Sequence, residues 1–189
     1  HHFYTLGSSD NGTGLVGEFT LAELKLLDSG SWFSPKYAGL QKPTLSEVLE
    51  LCKGKVRLEI ELKDSSLNAL MRVIQDIEKV GLLDEVEITT AHYPLLAHVK
   101  KLNPRLATGT FFYVLPDWMP LRLAQQQILD WSAQLGTQVA HLNLALMTLE
   151  FIDTLRQKNL RVHGSNLDTA EQIQRGLSFG LDGFSTGHL

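Results

Sequence analysis

Arg57, Glu59, Glu61 and Lys63 occupy alternate positions of the stretch "KVRLEIELKD", residues 55–64, with Leu58, Ile60 and Leu62 between them. An extended chain sends successive side chains to opposite faces. One face of this stretch is therefore aliphatic, and the other carries two cations and two anions. Such a face has two readings. In the lumen or mouth of a β/α barrel, opposite charges can pair, and groups at the carboxyl ends of strands meet a ligand. On an exposed edge strand, the same charges discourage aggregation. In the first reading Glu61 and Lys63 sit at the working end, and Arg57 and Glu59 lie deeper. Thr90, Asn143, His163, Ser165 and Thr186 also fall near predicted strand ends, where polar groups can line a shared site. Each has the alternative of being an ordinary hydrogen-bonded or loop residue.

The elements that must position these groups follow from periodicity. Six β-like runs are predicted at residues 56–62, 86–91, 106–112, 138–144, 160–166 and 181–187. Five helical patterns separate them, at residues 67–83, 93–102, 120–136, 148–158 and 169–179. Pro120 stands where helices often start, and Asp168 with Glu171 has the spacing of an N-terminal cap pair. This rhythm predicts βα units, right-handed crossovers and a parallel sheet. Residues 1–54 break it. They hold "TLAELKLLD" and "TLSEVLELC", each opened by a Thr-x-x-Glu capping box: Thr20 with Glu23 and Thr44 with Glu47. Turn formers surround both segments. The reading is one domain over 1–189, with 1–54 an excursion from the βα units of 55–189.

Composition narrows the chemistry. The 189 residues carry a net charge of −4, so no basic field is available for a nucleic-acid backbone. No apolar run approaches a membrane span. The single cysteine, Cys52, excludes an intrachain disulfide or a cysteine-built zinc site, and fits a reducing, cytoplasmic setting. Cys52 is expected to be an inert buried thiol. Trp32 and Phe33 are expected to anchor the excursion by packing. His92, His98 and His141 show no spacing that implies a metal. "FFYVLPDWMP", residues 111–120, is either an apolar wall at the barrel mouth or a loop packed on the body.

The segment from "DNGTGLVGEFTLAELKLLDSGSWF" through "PTLSEVLEL" to "RLEIELK" resembles the glycerophosphodiester phosphodiesterase family. The likeness covers residues 1–63 closely. The closing "GLDGFSTG" is similar to the family's last strand, and the rest agrees in layout. The resemblance implies a (β/α)8, TIM-barrel-like fold related to the phosphatidylinositol-specific phospholipase C barrels. It also implies metal-dependent hydrolysis of glycerophosphodiesters to an alcohol and glycerol 3-phosphate. By the same resemblance, Glu61 of the Glu-x-Lys motif is a ligand of a divalent metal, Mg²⁺ or Ca²⁺. Lys63 faces the substrate phosphate, and His2 is one of two catalytic histidines. These types suit the chemistry. A metal and a lysine offset charge on phosphoryl oxygens, hard oxygen ligands suit Mg²⁺ or Ca²⁺, and histidine exchanges protons near neutrality.

The departures from the family pattern are equally specific. The family's first strands, with the other histidine and two more metal carboxylates, are not in the sequence and are expected upstream of His1. Phe3 and Ser8 replace the usual Asp and Arg, which removes polar partners for His2. "VHGSNLDT" replaces an aromatic "WTVN"-type stretch. His1 and His2 also read as the remnant of a purification tag. Two alternatives follow: a catalytically impaired relative that binds or scaffolds, and a lipid-directed phosphodiesterase with "FFYVLPDWM" as its apolar contact.

Overall fold

The computed structural model of the protein describes residues 4–112 and 116–187. The chain divides into two compact units, His1–Lys53 and Gly54–Leu189. In the first, helices α1 (Leu21–Lys25) and α2 (Leu45–Cys52) open on the two predicted capping boxes. The Thr20 and Thr44 hydroxyls accept from the N–H groups of Glu23 and Glu47, whose carboxylates accept the cap N–H groups in return. Helix α1 is shorter than its predicted run. Leu21 and Leu26 are exposed, so no packed face extends it beyond about one turn.

Two carboxylates organise the loops of this unit. Asp28 accepts from the N–H groups of Gly30, Ser31 and Gly39. Asp10 accepts from those of Gly7 and Gly12 and pairs with Lys42 at 2.5 Å. Trp32 and Phe33 do not anchor a core. They are 61% and 70% exposed and meet edge to face at 5.8 Å. Cys52, the last residue of α2, is half-buried instead of buried.

The second unit follows the predicted rhythm. Strands β1 (Leu58–Glu61), β2 (Val86–Thr89), β3 (Ala107–Phe112), β4 (Val139–Leu142), β5 (Arg161–Gly164) and β6 (Gly183–Phe184) pair in sequence order, all parallel. They form a curled half-barrel. Between them run α3 (Leu67–Val80), α4 (Pro94–Leu102), α5 (Leu121–Leu135), α6 (Leu149–Gln157) and α7 (Ala170–Ser178). In α3, Leu70, Ile74, Ile77 and Val80 recur on one buried face, Ser66 caps the start, and Gly81 ends it in the left-handed conformation. The cap of α7 differs by one residue from expectation. Thr169 and Gln172 form the box, because the Asp168 carboxylate is taken by the N–H of Gly187.

Alternation sorts each strand into two faces. Ala140, Leu142 and Val162 join Phe151, Ile152 and Leu155 of α6 in the aliphatic core. The residues between them face the lumen, and these are the polar ones.

Candidate active site

Glu61 ends β1, and Lys63 follows two positions later on the same face. The Lys63 Nζ lies 2.6 Å from Glu61 Oε1, with the two side chains 31% and 26% exposed, respectively. Strand alternation thus assembles a carboxylate and an ammonium at the carboxyl end of the sheet, where β/α barrels place their working groups. His2 lies outside the described residues.

The other predicted polar positions serve local structure. The Thr90 hydroxyl donates to the Leu62 carbonyl at 2.7 Å and accepts from the His92 N–H. Asn143 caps the turn Leu144–Leu146 through the Ala145 N–H. Thr186 donates to Asp168, and Ser165 is buried. His163 differs, because it points into the lumen beside two residues that the sequence did not place in a site.

Those residues are Glu87 and His141. Register pairs Glu59 with Glu87 across β1 and β2, and His141 with His163 across β4 and β5. His141 is 3% exposed, and its Nε2 lies 2.7 Å from Glu87 Oε1. Its Nδ1 is 3.9 Å from Glu59 Oε2. The His163 ring meets it edge to face at 5.0 Å, and Arg161 approaches Glu87 Oε2 at 3.6 Å. His141, read from sequence as having no metal-like spacing, is therefore one of three residues, with Glu87 and His163, whose ligand atoms lie within 4.8 Å of one another. Chain spacing gave no warning because the three groups come from three strands. The available signal was a lone polar residue between apolar or small neighbours, as in "VEI", "AHL" and "VHG".

Partial burial shapes the electrostatics of the lumen, where the Glu59 side chain is 39% exposed and His163 is half-buried. Desolvation raises the Glu59 carboxyl above its usual range. Nearby His141 opposes the shift, and Glu87 adds to it. Burial, and then His141, push the His163 imidazole below its ordinary value. A cavity of 180 Å³ reaches this cluster from the amino ends of the strands, lined by Arg57, Glu59, Glu87, Arg161 and His163 among others.

A second cavity of 220 Å³ lies at the opposite, carboxyl end of β3. Tyr93, Phe111, Phe112, Met119, Ile128 and Trp131 are among its lining residues. The Tyr93 hydroxyl donates to the Phe111 carbonyl, which fixes one wall. Phe111, Phe112, Pro116 and Met119 line this cavity, and Phe112 and Met119 also pack against the core of the body, so the two sequence-based alternatives are not mutually exclusive here.

Glu61 is a suitable ligand type for a hard cation. Among the described residues, however, no set of three ligating groups gathers around it.

The sequence model of the Glycerophosphoryl diester phosphodiesterase family matches residues 1–189. A glycerophosphodiester phosphodiesterase of Caldanaerobacter subterraneus subsp. tengcongensis is 29% identical over 192 residues, spanning 98% of the chain and 74% of the relative. One from Bacillus subtilis is 28% identical over 203 residues, spanning 99% and 68%. Among solved structures, an Oleispira antarctica phosphodiesterase in complex with the product sn-glycerol-3-phosphate aligns with a TM-score of 0.78. It is 22% identical, and the alignment covers 98% of this chain and 74% of that one. A Silicibacter pomeroyi structure aligns at 0.81, with 21% identity and coverage of 100% and 74%.

Proposed function

The chain belongs to the glycerophosphoryl diester phosphodiesterase family, a family of phosphoric diester hydrolases, and from that premise we propose that it cleaves glycerophosphodiesters to an alcohol and glycerol 3-phosphate in a metal-dependent reaction. The observation that carries this reading is the Glu61–Lys63 pair at the carboxyl end of β1. In this reading Glu61 contributes one oxygen ligand to a divalent cation, Mg²⁺ or Ca²⁺. Such a cation, when bound, supplies positive charge to the phosphoryl oxygens. Lys63 adds a second positive charge from the same strand end and holds the anionic diester in place. His2 transfers a proton at the reacting oxygens. Residues 1–189 act as one phosphodiesterase domain, with 1–54 its excursion. The substrate is a small molecule. Among the described residues no helix is long and apolar enough to cross a membrane. A cytoplasmic setting completes the reading, supported by the lone Cys52.

The test is release of glycerol 3-phosphate by the full-length protein with and without a chelator. Glu61→Gln and Lys63→Met should each lower turnover by roughly 10²–10³-fold. His2→Ala should lower it by about 10²–10⁴-fold. Undiminished turnover in Glu61→Gln would remove Glu61 from the mechanism.

A second reading within the same chemistry draws support from the apolar cavity beside β3. It lies at the carboxyl end of β3, the same end of the sheet as Glu61 and Lys63, and its apolar walls suit an acyl chain. A lipid-directed enzyme should then prefer a lysophospholipid to its deacylated diester, and Phe112→Ser should erase that preference without slowing cleavage of the deacylated diester. Equal rates on both substrates by the wild type would exclude it.

A further inference from the structure

We propose that Glu87, His141 and His163 form a binding site for a divalent transition metal of the zinc class, inside the half-barrel and separate from the hard-cation position at Glu61. Each residue directs one ligand atom into the lumen, and the three atoms lie within 4.8 Å of one another. Bonds of about 2.0–2.2 Å to a tetrahedral ion place ligands roughly 3.3–3.6 Å apart. Small rotations of the three side chains therefore close them on one ion. Two imidazoles and one carboxylate are a borderline donor set. Such a set favours zinc-class ions over Mg²⁺ and Ca²⁺, which take oxygen ligands.

Three further features fit a built site. The first is orientation. With His141 Nε2 toward the ion and Glu87, its Nδ1 faces Glu59 Oε2 at 3.9 Å. That is longer than a hydrogen bond, but a modest approach of Glu59 would bring its carboxylate into reach of the far nitrogen, where such a partner orients a metal-bound histidine. The second is space. A Cβ on Gly109 would lie 2.1 Å from Glu87 Oε1 and 2.8 Å from His141 Nε2, and one on Gly183 would lie 3.2 Å from His163 Nε2. Two glycines thus leave room at the ligand atoms. The third is access. The 180 Å³ cavity at the amino ends of the strands touches Glu87 and His163, which provides an entry path. The ion would also offset the converging charges of Glu59 and Glu87, near which Arg161 is a cation at 3.6 Å.

Glu61 is not part of this group. It lies two residues beyond Glu59 toward the carboxyl end and pairs with Lys63. The two positions therefore respond differently to substitution. The experiment is a Co²⁺ titration of the full-length, chelator-stripped protein, with Co²⁺ as a coloured stand-in for Zn²⁺. The expected result is a ligand-field band that saturates at one equivalent, is displaced by Zn²⁺, and persists in excess Mg²⁺. His163→Ala should abolish the saturable band, with circular dichroism showing a retained fold, since His163 is only half-buried. Glu59→Gln should weaken binding about 10–100-fold. Glu61→Gln should bind as the wild type does. No saturable band in the wild type would overturn the proposal and leave His141 as a buried imidazole hydrogen-bonded to Glu87. Equal binding by His163→Ala would also overturn it. That result would place the ion elsewhere, for example on His1 and His2, which every variant retains.

Discussion

The excursion and the β/α body are stabilised by different physics. In residues 4–53, Leu6 and Leu49 are the buried aliphatic side chains among the described residues, while Leu15, Leu21, Leu26 and Leu40 stay exposed. Order there comes from side-chain oxygens that collect backbone N–H groups: Asp10, Asp28, and the boxes at Thr20 and Thr44. In the body, backbone groups pair with one another along a parallel ladder, and aliphatic side chains fill the space behind it. Carboxylate-centred loops depend on pH, whereas an aliphatic core depends on volume. The same residue type should therefore matter very differently in the two regions.

The largest expected effect tests this with leucine. Leu155 in α6 has no exposed surface, and Leu26 in the excursion is 83% exposed. Leu155→Ala should lower the unfolding free energy by about 2–5 kcal/mol, because it removes buried methyl groups and leaves a cavity. Leu26→Ala should stay within roughly ±0.5 kcal/mol. Urea unfolding followed by circular dichroism measures both. Comparable losses in the two variants would break the contrast, because Leu26 would then have to be buried in solution.

Volume is also the issue in the lumen, on a smaller scale. Gly109→Ala places a methyl group against Glu87 Oε1 and His141 Nε2. Those are side-chain ends, which can move, so the cost should fall near the low end of the range of about 1–3 kcal/mol for overpacking. A variant as stable as the wild type would mean that the carboxylate and imidazole have another arrangement of equal energy. The same urea unfolding curve decides it.

What could be read from sequence divides along the same line. The β/α rhythm was visible because periods of 2 and 3.6 are local, and the observed elements fall within a few residues of the predicted ones. Glu61 and Lys63 were visible for the same reason, since two positions along one strand fix a shared face. Glu87 and His141 were not. They are 54 positions apart, and only strand order and register join them. The excursion was legible in its capping boxes, which are four-residue events. Its aromatic residues were misjudged, because whether Trp32 and Phe33 are covered depends on tertiary packing that no short window contains.

Acid separates the two regions next. The Asp28 carboxyl is held well below its ordinary value by the N–H groups of Ser31, Gly39 and Gly30. Burial alone would raise Asp10, but Lys42 and the N–H groups of Gly12 and Gly7 outweigh it and hold that group low as well. A lowered folded pKa contributes stability that is fully present above the unfolded value, and that is lost as pH falls through the folded one. The amides of Gly7, Gly12, Gly30, Ser31 and Gly39 should therefore lose hydrogen-exchange protection progressively below the ordinary Asp value of 3.8. The Ser165 amide, bonded to the Leu142 carbonyl, has no titrating acceptor and should keep its protection over that range. Equal loss at all six sites, after correction for intrinsic exchange rates, would show a general acid unfolding.

The smallest expected effect compares two caps of the same chemistry. Thr44 starts α2 by accepting from the Glu47 N–H, and Thr148 starts α6 by accepting from the Phe151 N–H. Replacing either with alanine leaves one helix N–H without its partner, at a cost of about 1 kcal/mol. The difference lies in where that cost appears. Helix α6 carries Phe151, Ile152 and Leu155 into the core, so its first turn cannot open without disturbing buried volume. Thr148→Ala should therefore lower the midpoint of global unfolding. Helix α2 buries only Leu49 among its residues. Thr44→Ala should act mainly as local opening, seen as faster amide exchange at Glu47 and Val48 with the global midpoint almost unmoved. If both variants shift that midpoint equally, the excursion and the body unfold as one cooperative unit, and its carboxylate-centred loops contribute to the stability of the whole chain.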